Sequence, residues 1–327
     1  MALQWAGCGD GRSLGKISYV VIDSNSKTTL FTISPDGKTK TPVSITIPDS
    51  VFFVQPNKDA TEVVYCRDED NTGALELYLM GADNQEKQLT HSDTDGQNCY
   101  AAFSHDGKKI IFNSDRDTYV QVYSMNPDGT GQTRLITSEA DDIFPKYSPD
   151  DSSFAFMRAN SGVNSAVATM QGLKAQTLVA PRQRSATFRA HSKLKASVTS
   201  TGDGIYMAKA DGSNPALVLS SESNNGFYYF SAPVFSIDGK RILFSTAQFN
   251  DYAQIASVKL DGSDLKNLSN SESDDYAPLP YGNQIMFNRN LDGQVEIFSM
   301  NTDGSSQKNL TNTTDTDEYL PDFAAYF

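Results

Sequence analysis

An Asp-Gly pair recurs along this chain, at Asp36-Gly37, Asp128-Gly129, Asp211-Gly212, Asp261-Gly262 and Asp303-Gly304. The spacing fits six intervals of about 44 residues once two degenerate copies, at Asp83-Asn84 and around Gly172, are counted. Each pair sits between two short apolar runs, as in VQVYSMNPDGTGQTRLI (120–136) and VEIFSMNTDGSSQKNLT (295–311). Asp-Gly accepts the positive φ angles of a hairpin turn, so each copy reads as a β-hairpin. A second hairpin precedes it, clearest in FSHDGKKIIF (103–112) and FSIDGKRILF (235–244). The apolar runs are short, rich in β-branched and aromatic residues, and no long stretch holds a 3.6-residue period, which excludes a helical repeat.

One unit is therefore four antiparallel strands, here A to D, with A–B and C–D joined by the two turns. Four strands at this period predict a β-propeller blade. Seven C–D hairpins end near Val43, Leu89, Leu135, Leu178, Leu219, Leu268 and Leu310, so the expectation is an all-β, seven-bladed propeller, with six blades as the alternative. The first unit starts at strand B, ISYVVI (17–22), and the missing strand A is expected at the C-terminus, in LPDFAAYF (320–327). Pairing it into the N-terminal blade closes the ring and removes the exposed edges. Residues 1–16 read as a flexible leader, and 17–327 as one propeller domain.

Composition narrows the partners. The formal net charge is −13, which argues against nucleic acid, because that ligand needs a basic footprint. No window approaches a membrane-spanning run, so membrane insertion is not expected. The N-terminal residues show no signal peptide. Cys8, Cys66 and Cys99 lack any metal-ligand spacing. They read as free thiols, with a Cys66–Cys99 bridge as an alternative that spacing cannot place.

The repeat resembles the WD40-like PD40 repeat of TolB-like propellers. The residues that carry the likeness are Phe103, Ser104, Asp106, Gly107, Lys108, Ile111, Phe112, Ser114, Arg116, Val122, Tyr123, Met125, Asp128, Gly129 and Leu135, with a second clear copy over 235–269. The resemblance implies a periplasmic or secreted recognition propeller that binds a protein or peptide. It departs from TolB itself, which has an additional N-terminal domain and six blades. Oligogalacturonate lyases resemble it as seven-bladed propellers but carry a histidine-rich metal site.

Only His91, His105 and His191 occur here, in three different contexts, and no metal cage is expected of them. No nucleophile–base set, phosphate loop or dinucleotide fingerprint is present. What remains is an acid-and-arginine mouth. Asp141-Asp142, Asp274-Asp275 and Asp317-Glu318 precede strand A, while Arg67, Arg116, Arg158 and Arg289 end strand B on the same face. One reading has each arginine fork to a carboxylate of its own or the next blade and tie blades together. The other has the surplus acids take a cationic group or a divalent ion such as Ca²⁺ in the channel, although no cofactor is otherwise implied. Two segments break the pattern: Arg182, Arg184 and Arg189 replace acids in the fifth unit, and Phe227, Tyr228, Tyr229 and Phe230 replace them before the sixth. The candidate binding residues are thus Asp142, Asp275, Asp317, Glu318, Arg67, Arg116, Arg158, Arg289, Arg184, Phe227, Tyr228 and Tyr229. The function expected is a non-enzymatic, monomeric scaffold for a protein or peptide. A carbohydrate-binding or lyase-like propeller with a glycan ligand is the alternative.

Overall fold

Each repeat folds as a four-stranded antiparallel sheet, and the turn chemistry shows why. In the first hairpin of blade 3, Ser104 Oγ donates to Asp106 Oδ1 at 2.9 Å and accepts the Lys109 N–H at 2.9 Å. Asp106 also caps the Lys108 N–H at 3.0 Å, and Gly107 supplies the left-handed residue at φ +70. The same serine–aspartate clasp recurs at Ser236/Asp238 and Ser148/Asp150. The motif fixes the turn before any tertiary contact is made.

The computed structural model describes residues 17–22, 28–48, 51–68, 74–92, 96–159, 202–221, 233–313 and 316–320. In chain order, blade 1 holds β1 (Ile17–Ile22), β2 (Thr28–Ile33) and β3 (Lys40–Pro42). Blade 2 holds β4 (Val51–Pro56), β5 (Glu62–Arg67), β6 (Glu76–Gly81) and β7 (Glu86–Gln88). Blade 3 is β8 (Asn98–Phe103), β9 (Ile110–Ser114), β10 (Gln121–Met125) and β11 (Thr133–Arg134). Blade 4 is β12 (Asp141–Tyr147), β13 (Ser153–Ala159), β14 (Gly204–Lys209) and β15 (Ala216–Ser220). Blade 5 is β16 (Val234–Phe235), β17 (Arg241–Thr246), β18 (Gln254–Lys259) and β19 (Lys266–Asn267). Blade 6 is β20 (Asp274–Tyr281), β21 (Gln284–Leu291), β22 (Gln294–Asn301) and β23 (Lys308–Asn309), and β24 (Asp317–Tyr319) completes blade 1.

The described residues thus form six four-stranded sheets rather than the seven blades expected from the hairpin count. The difference arises between residues 160 and 203. β13 hydrogen-bonds directly to β14, with Phe156 opposite Tyr206. The β14–β15 hairpin, which spacing assigned to a fifth blade, therefore completes the fourth. The hairpin expected around Gly172 lies outside the described residues, as does the leader over 1–16.

An inter-blade contact confirms the count. The C–D turn glycine of each blade lies against the end of the preceding blade's outer strand. A Cβ added at Gly129 would come within 3.0 Å of the Leu89 backbone, one at Gly212 of Leu135, at Gly262 of Val218, at Gly304 of Leu268, and at Gly37 of Leu310. Blade 2 makes the same approach with Asn84, which accepts the Thr46 N–H at 2.6 Å and donates to the Ser44 carbonyl at 3.2 Å. Gly212 against Leu135 leaves no room for a blade between 3 and 4, and Gly37 against Leu310 joins 1 to 6. The ring closes through β24, with Val20 opposite Tyr319. The closing strand lies a few residues earlier than expected, and 321–327 fall outside the described residues.

Each sheet is sandwiched between two others, so both faces are buried, and β9 and β10 are buried along their whole length. The outer strands β7, β11, β19 and β23 are two or three residues long, and three of them carry a lysine. Short, charged edges discourage edge-to-edge pairing. The first strands face the axis: the Phe53, Tyr100 and Phe144 rings meet in sequence across blades 2, 3 and 4. Lys146 of blade 4 reaches Gln55 of blade 2 at 2.9 Å.

Candidate functional site: the loop face

Strand direction sorts the connections onto two faces. The tight A–B and C–D turns occupy one, here the turn face. The D–A and B–C loops occupy the other, the loop face, where the sequence places its acids and arginines. The acidic pairs divide their work. The first acid of each pair accepts the N–H that opens strand C of the preceding blade: Asp141 from Val120 at 2.9 Å, Asp274 from Ala253 at 2.8 Å, and Asp317 from Val295 at 3.0 Å. The second serves its own blade. Asp142 receives Arg158 Nε at 2.6 Å and Nη2 at 2.9 Å, with Ser138 Oγ at 2.7 Å. Asp275 receives Arg289 Nε at 2.6 Å and Nη2 at 2.8 Å, with Ser271 Oγ at 2.7 Å. These are bidentate forks to carboxylates whose side chains are fully buried.

The arginines lie back over the sheets rather than into an open mouth. Arg158 stacks on Tyr206 at 4.4 Å, Arg289 on Phe298 at 4.6 Å, Arg116 on Tyr123 at 4.7 Å and Arg67 on Tyr78 at 4.5 Å. Arg116 has no acid at the fork position and bonds Asn98 at 2.9 Å instead, and Arg67 pairs with Glu86 at 2.7 Å. The forks stay within a blade, so the direct tie is between strands A and B. The arginines tie blades only one step removed. Arg116 holds Gln132, which donates to the Leu89 carbonyl of blade 2 at 3.0 Å. Arg289 holds Gln307, which donates to the Ser269 carbonyl of blade 5 at 2.7 Å.

Blade 1 lacks an arginine at the corresponding register position, where Val21 stands opposite Glu318. Glu318 instead accepts from Thr313 at 2.7 Å and Thr316 at 2.6 Å. Burial, with no guanidinium to offset it, pushes its carboxyl up to about 7.

The structure therefore places Asp142, Asp275, Arg67, Arg116, Arg158 and Arg289 one or two to a blade and brings them together only as pairs. Asp317 and Glu318 lie in the closing strand. Arg184, Phe227, Tyr228 and Tyr229 lie outside the described residues, as do Arg182, Arg189, Phe230 and His191. His105 sits on the turn face, its Nδ1 2.9 Å from Asp151 of blade 4. Among the described residues no group of three His, Cys, Asp or Glu is placed to hold a metal.

Several residues that organise this face were not singled out from the sequence. A Gln or Glu near the start of strand C takes the N–H of the loop leaving the same blade: Gln121 from Ser138 at 3.1 Å, Gln254 from Ser271 at 2.7 Å, Glu76 from Ser92 at 2.7 Å, and Glu296 from Thr313 at 2.8 Å. Their signal was legible as a lone Gln or Glu between apolar residues in VQVY, AQIA, LELY and VEIF. Cys66 and Cys99 are joined as a disulfide with Cα atoms 5.3 Å apart, not free thiols as expected. They lie 33 residues apart and in different blades, so only the fold brings them together. Phe249 and Tyr252 stand exposed on the B–C loop of blade 5, and Leu291 at the end of β21 beside the B–C turn of blade 6.

Comparison with known proteins follows the same lines. The family profile described as the TolB beta propeller domain, PD40, matches residues 55–187. A Tol-Pal system protein TolB from Geobacter sulfurreducens is 34% identical over 87 residues, covering 26% of this chain and 19% of that protein. A TolB homolog from Chlorobium luteolum is 28% identical over 155 residues, covering 44% of this chain and 33% of that one. The crystal structure of TolB from Acinetobacter baumannii superposes with a TM-score of 0.61 at 16% identity, covering 94% of this chain and 66% of that chain. The matches thus span less than two thirds of each of these proteins, and the structural likeness speaks to the fold.

Proposed function

We propose that this TolB-like propeller of PD40 repeats is a recognition module that binds a protein or peptide partner through its loop face, in an extracytoplasmic compartment. The observation that carries the reading is the contrast between the two faces. The turn face repeats one self-satisfied design, with Asp128, Asp211, Asp261 and Asp303 each capping its own turn. The loop face varies from blade to blade: among the described residues the B–C connection is a short Asp292-Gly293 turn in blade 6, a six-residue loop over 115–120 in blade 3 and a seven-residue loop over 247–253 in blade 5. Specificity resides in varied loops on an invariant scaffold. The buried Cys66–Cys99 bridge supports an oxidising compartment, and the names of the TolB relatives point to an assembly with other proteins.

The test masks one face at a time. In a Cys8→Ser background, a single cysteine replaces Thr118 on the loop face or Thr130 on the turn face and is capped with a polyethylene glycol maleimide. Peptides selected from a display library on the uncapped protein should lose binding to the Thr118→Cys adduct and keep it for the Thr130→Cys adduct. The reverse pattern, or saturable binding to a glycan array with no peptide selected, overturns the proposal.

A further inference from the structure

We infer that the partner seats on the loop-face sector formed by blades 5 and 6, and that the segment it presents is basic and carries an apolar anchor. This deepens the loop-face reading and rests on it. Among the described residues four large hydrophobic side chains are exposed, and three of them flank or lie in the B–C connections of these two adjacent blades: Phe249 at 38% and Tyr252 at 41% in the blade 5 loop, and Leu291 at 40% at the end of β21. The fourth, Leu217, lies in the outer strand of blade 4. An apolar group gathered on neighbouring loops, rather than scattered singly, is the mark of a contact surface.

The loops are held in place without a partner. Asn250 Oδ1 accepts the Tyr252 N–H at 3.0 Å, and its Nδ2 donates to the Ser271 carbonyl on the blade 5-to-6 connection at 3.0 Å. The Ala253 N–H is fixed by Asp274. In blade 6, Asn290 Oδ1 takes the Gly293 N–H at 2.8 Å, closing the turn that displays Leu291. The rings are thus presented on a preorganised frame, which lowers the ordering cost of binding, and exposed aromatics of this kind serve as interface anchors.

Charge selects the occupant. Asp251 lies between the two aromatics in sequence, Asp292 follows Leu291, and Glu272 stands on the connection between the blades, and all three are exposed. Residues 247–253, 270–273 and 290–293 include no lysine or arginine. Arg289, just before the last of them, is committed to Asp275. A basic segment meets complementary charge here, and an acidic one meets repulsion. A neutral glycan would use the rings but not the three carboxylates, and a second copy of a chain with net charge −13 would bring like charge to like.

The probe is a fluorescent peptide of alternating lysine and leucine with one tryptophan, tested on the full chain beside an acidic twin (Glu for Lys) and a polar twin (Ser for Leu and Trp). The Lys/Leu peptide should bind, weaken with added salt, and lose roughly tenfold or more in affinity both to Phe249→Ser/Tyr252→Ser/Leu291→Ser and to Asp251→Lys/Glu272→Lys/Asp292→Lys. The two twins should not bind. Unchanged binding to either triple variant overturns the inference, as does equal binding of the acidic twin. A dimer that the apolar triple variant dissolves also overturns it, because the sector would then be a self-interface. Display-selected peptides separate this inference from the reading beneath it. If they are blocked by the Thr118→Cys adduct but indifferent to both triple variants, the sector is wrong and loop-face recognition stands. If neither the adduct nor the variants affects them, both fail.

Discussion

Cys66 in the second strand of blade 2 is bonded to Cys99 in the first strand of blade 3, and both are fully buried. The strand register makes Cys66 the counterpart of Asn113 in blade 3, since Cys66 stands opposite Phe52 and Asn113 opposite Cys99. Asn113 grips the next blade through the Asp142 carbonyl at 2.7 Å and the Phe144 N–H at 2.9 Å. Asn288 takes the Leu320 N–H at 3.0 Å across the ring closure. One structural position thus stitches blade to blade, covalently in one case and by side-chain amides in two.

The bridge spans 33 residues of sequence, and closing a loop of that size in the unfolded chain is worth about 3–4 kcal/mol. Cys66→Ser/Cys99→Ser should lower the unfolding free energy measured in urea by about that amount, seen as a lower midpoint, while leaving the far-ultraviolet circular dichroism unchanged. A midpoint that does not move would mean that packing, not the crosslink, holds blades 2 and 3 together.

The two kinds of turn glycine should respond differently to a methyl group. Gly239, in an A–B turn at φ +66, faces open space, so Gly239→Ala should cost only the left-handed strain of about 1–2 kcal/mol. Gly304, at φ +90, adds a collision with the Leu268 carbonyl of blade 5. Gly304→Ala should therefore cost roughly twice as much, because backbone rather than a flexible side chain must yield. Equal urea midpoints for the two variants would contradict the inter-blade role given to the C–D turns.

The buried forks make a third prediction. Asp275→Ala strands the Arg289 guanidinium in a site where its side chain is only 12% exposed, and should cost about 3–5 kcal/mol. Asp275→Leu/Arg289→Met should recover most of that loss, because burying a pair of ions offsets much of their mutual attraction. Peptide binding on the loop face should survive in the double variant. Loss of binding there without loss of stability would return Arg289 and Asp275 to the recognition surface.

What could be read from the sequence follows from the range of the interactions. The Ser-x-Asp-Gly turns and alternating runs are local, so the blade and its strand order were legible from residues such as Ser104, Asp106 and Gly107. The blade count was not. It depends on whether β13 pairs with the hairpin after it or with one more than forty residues on, and spacing alone scored a degenerate Gly172 copy as a blade. The acids and arginines were legible as one set, yet the division between Asp141, which serves the preceding blade, and Asp142, which serves its own, needs the register. Phe249 and Tyr252 carry no local signal that sets them apart, because exposure is a tertiary property.

Glu318 gives the ring closure a dependence on pH. It lies 2% exposed in the closing strand, facing Thr313, Thr316, Glu296 of blade 6, Tyr19 of β1 and the distant charge of Lys40. Its carboxyl is raised to about 7 in the folded ring. Between the ordinary glutamate value and that figure the folded protein holds a proton that the unfolded chain has released. Stability therefore falls as pH rises through this window, by at most about 3 kcal/mol, and is flat on either side of it. Glu318→Gln keeps an acceptor for the threonines and removes the charge. The variant should melt at a higher temperature than the parent at about pH 8 and at nearly the same temperature at about pH 5. A constant difference between the two melting curves across that range would show that Glu318 does not titrate on folding.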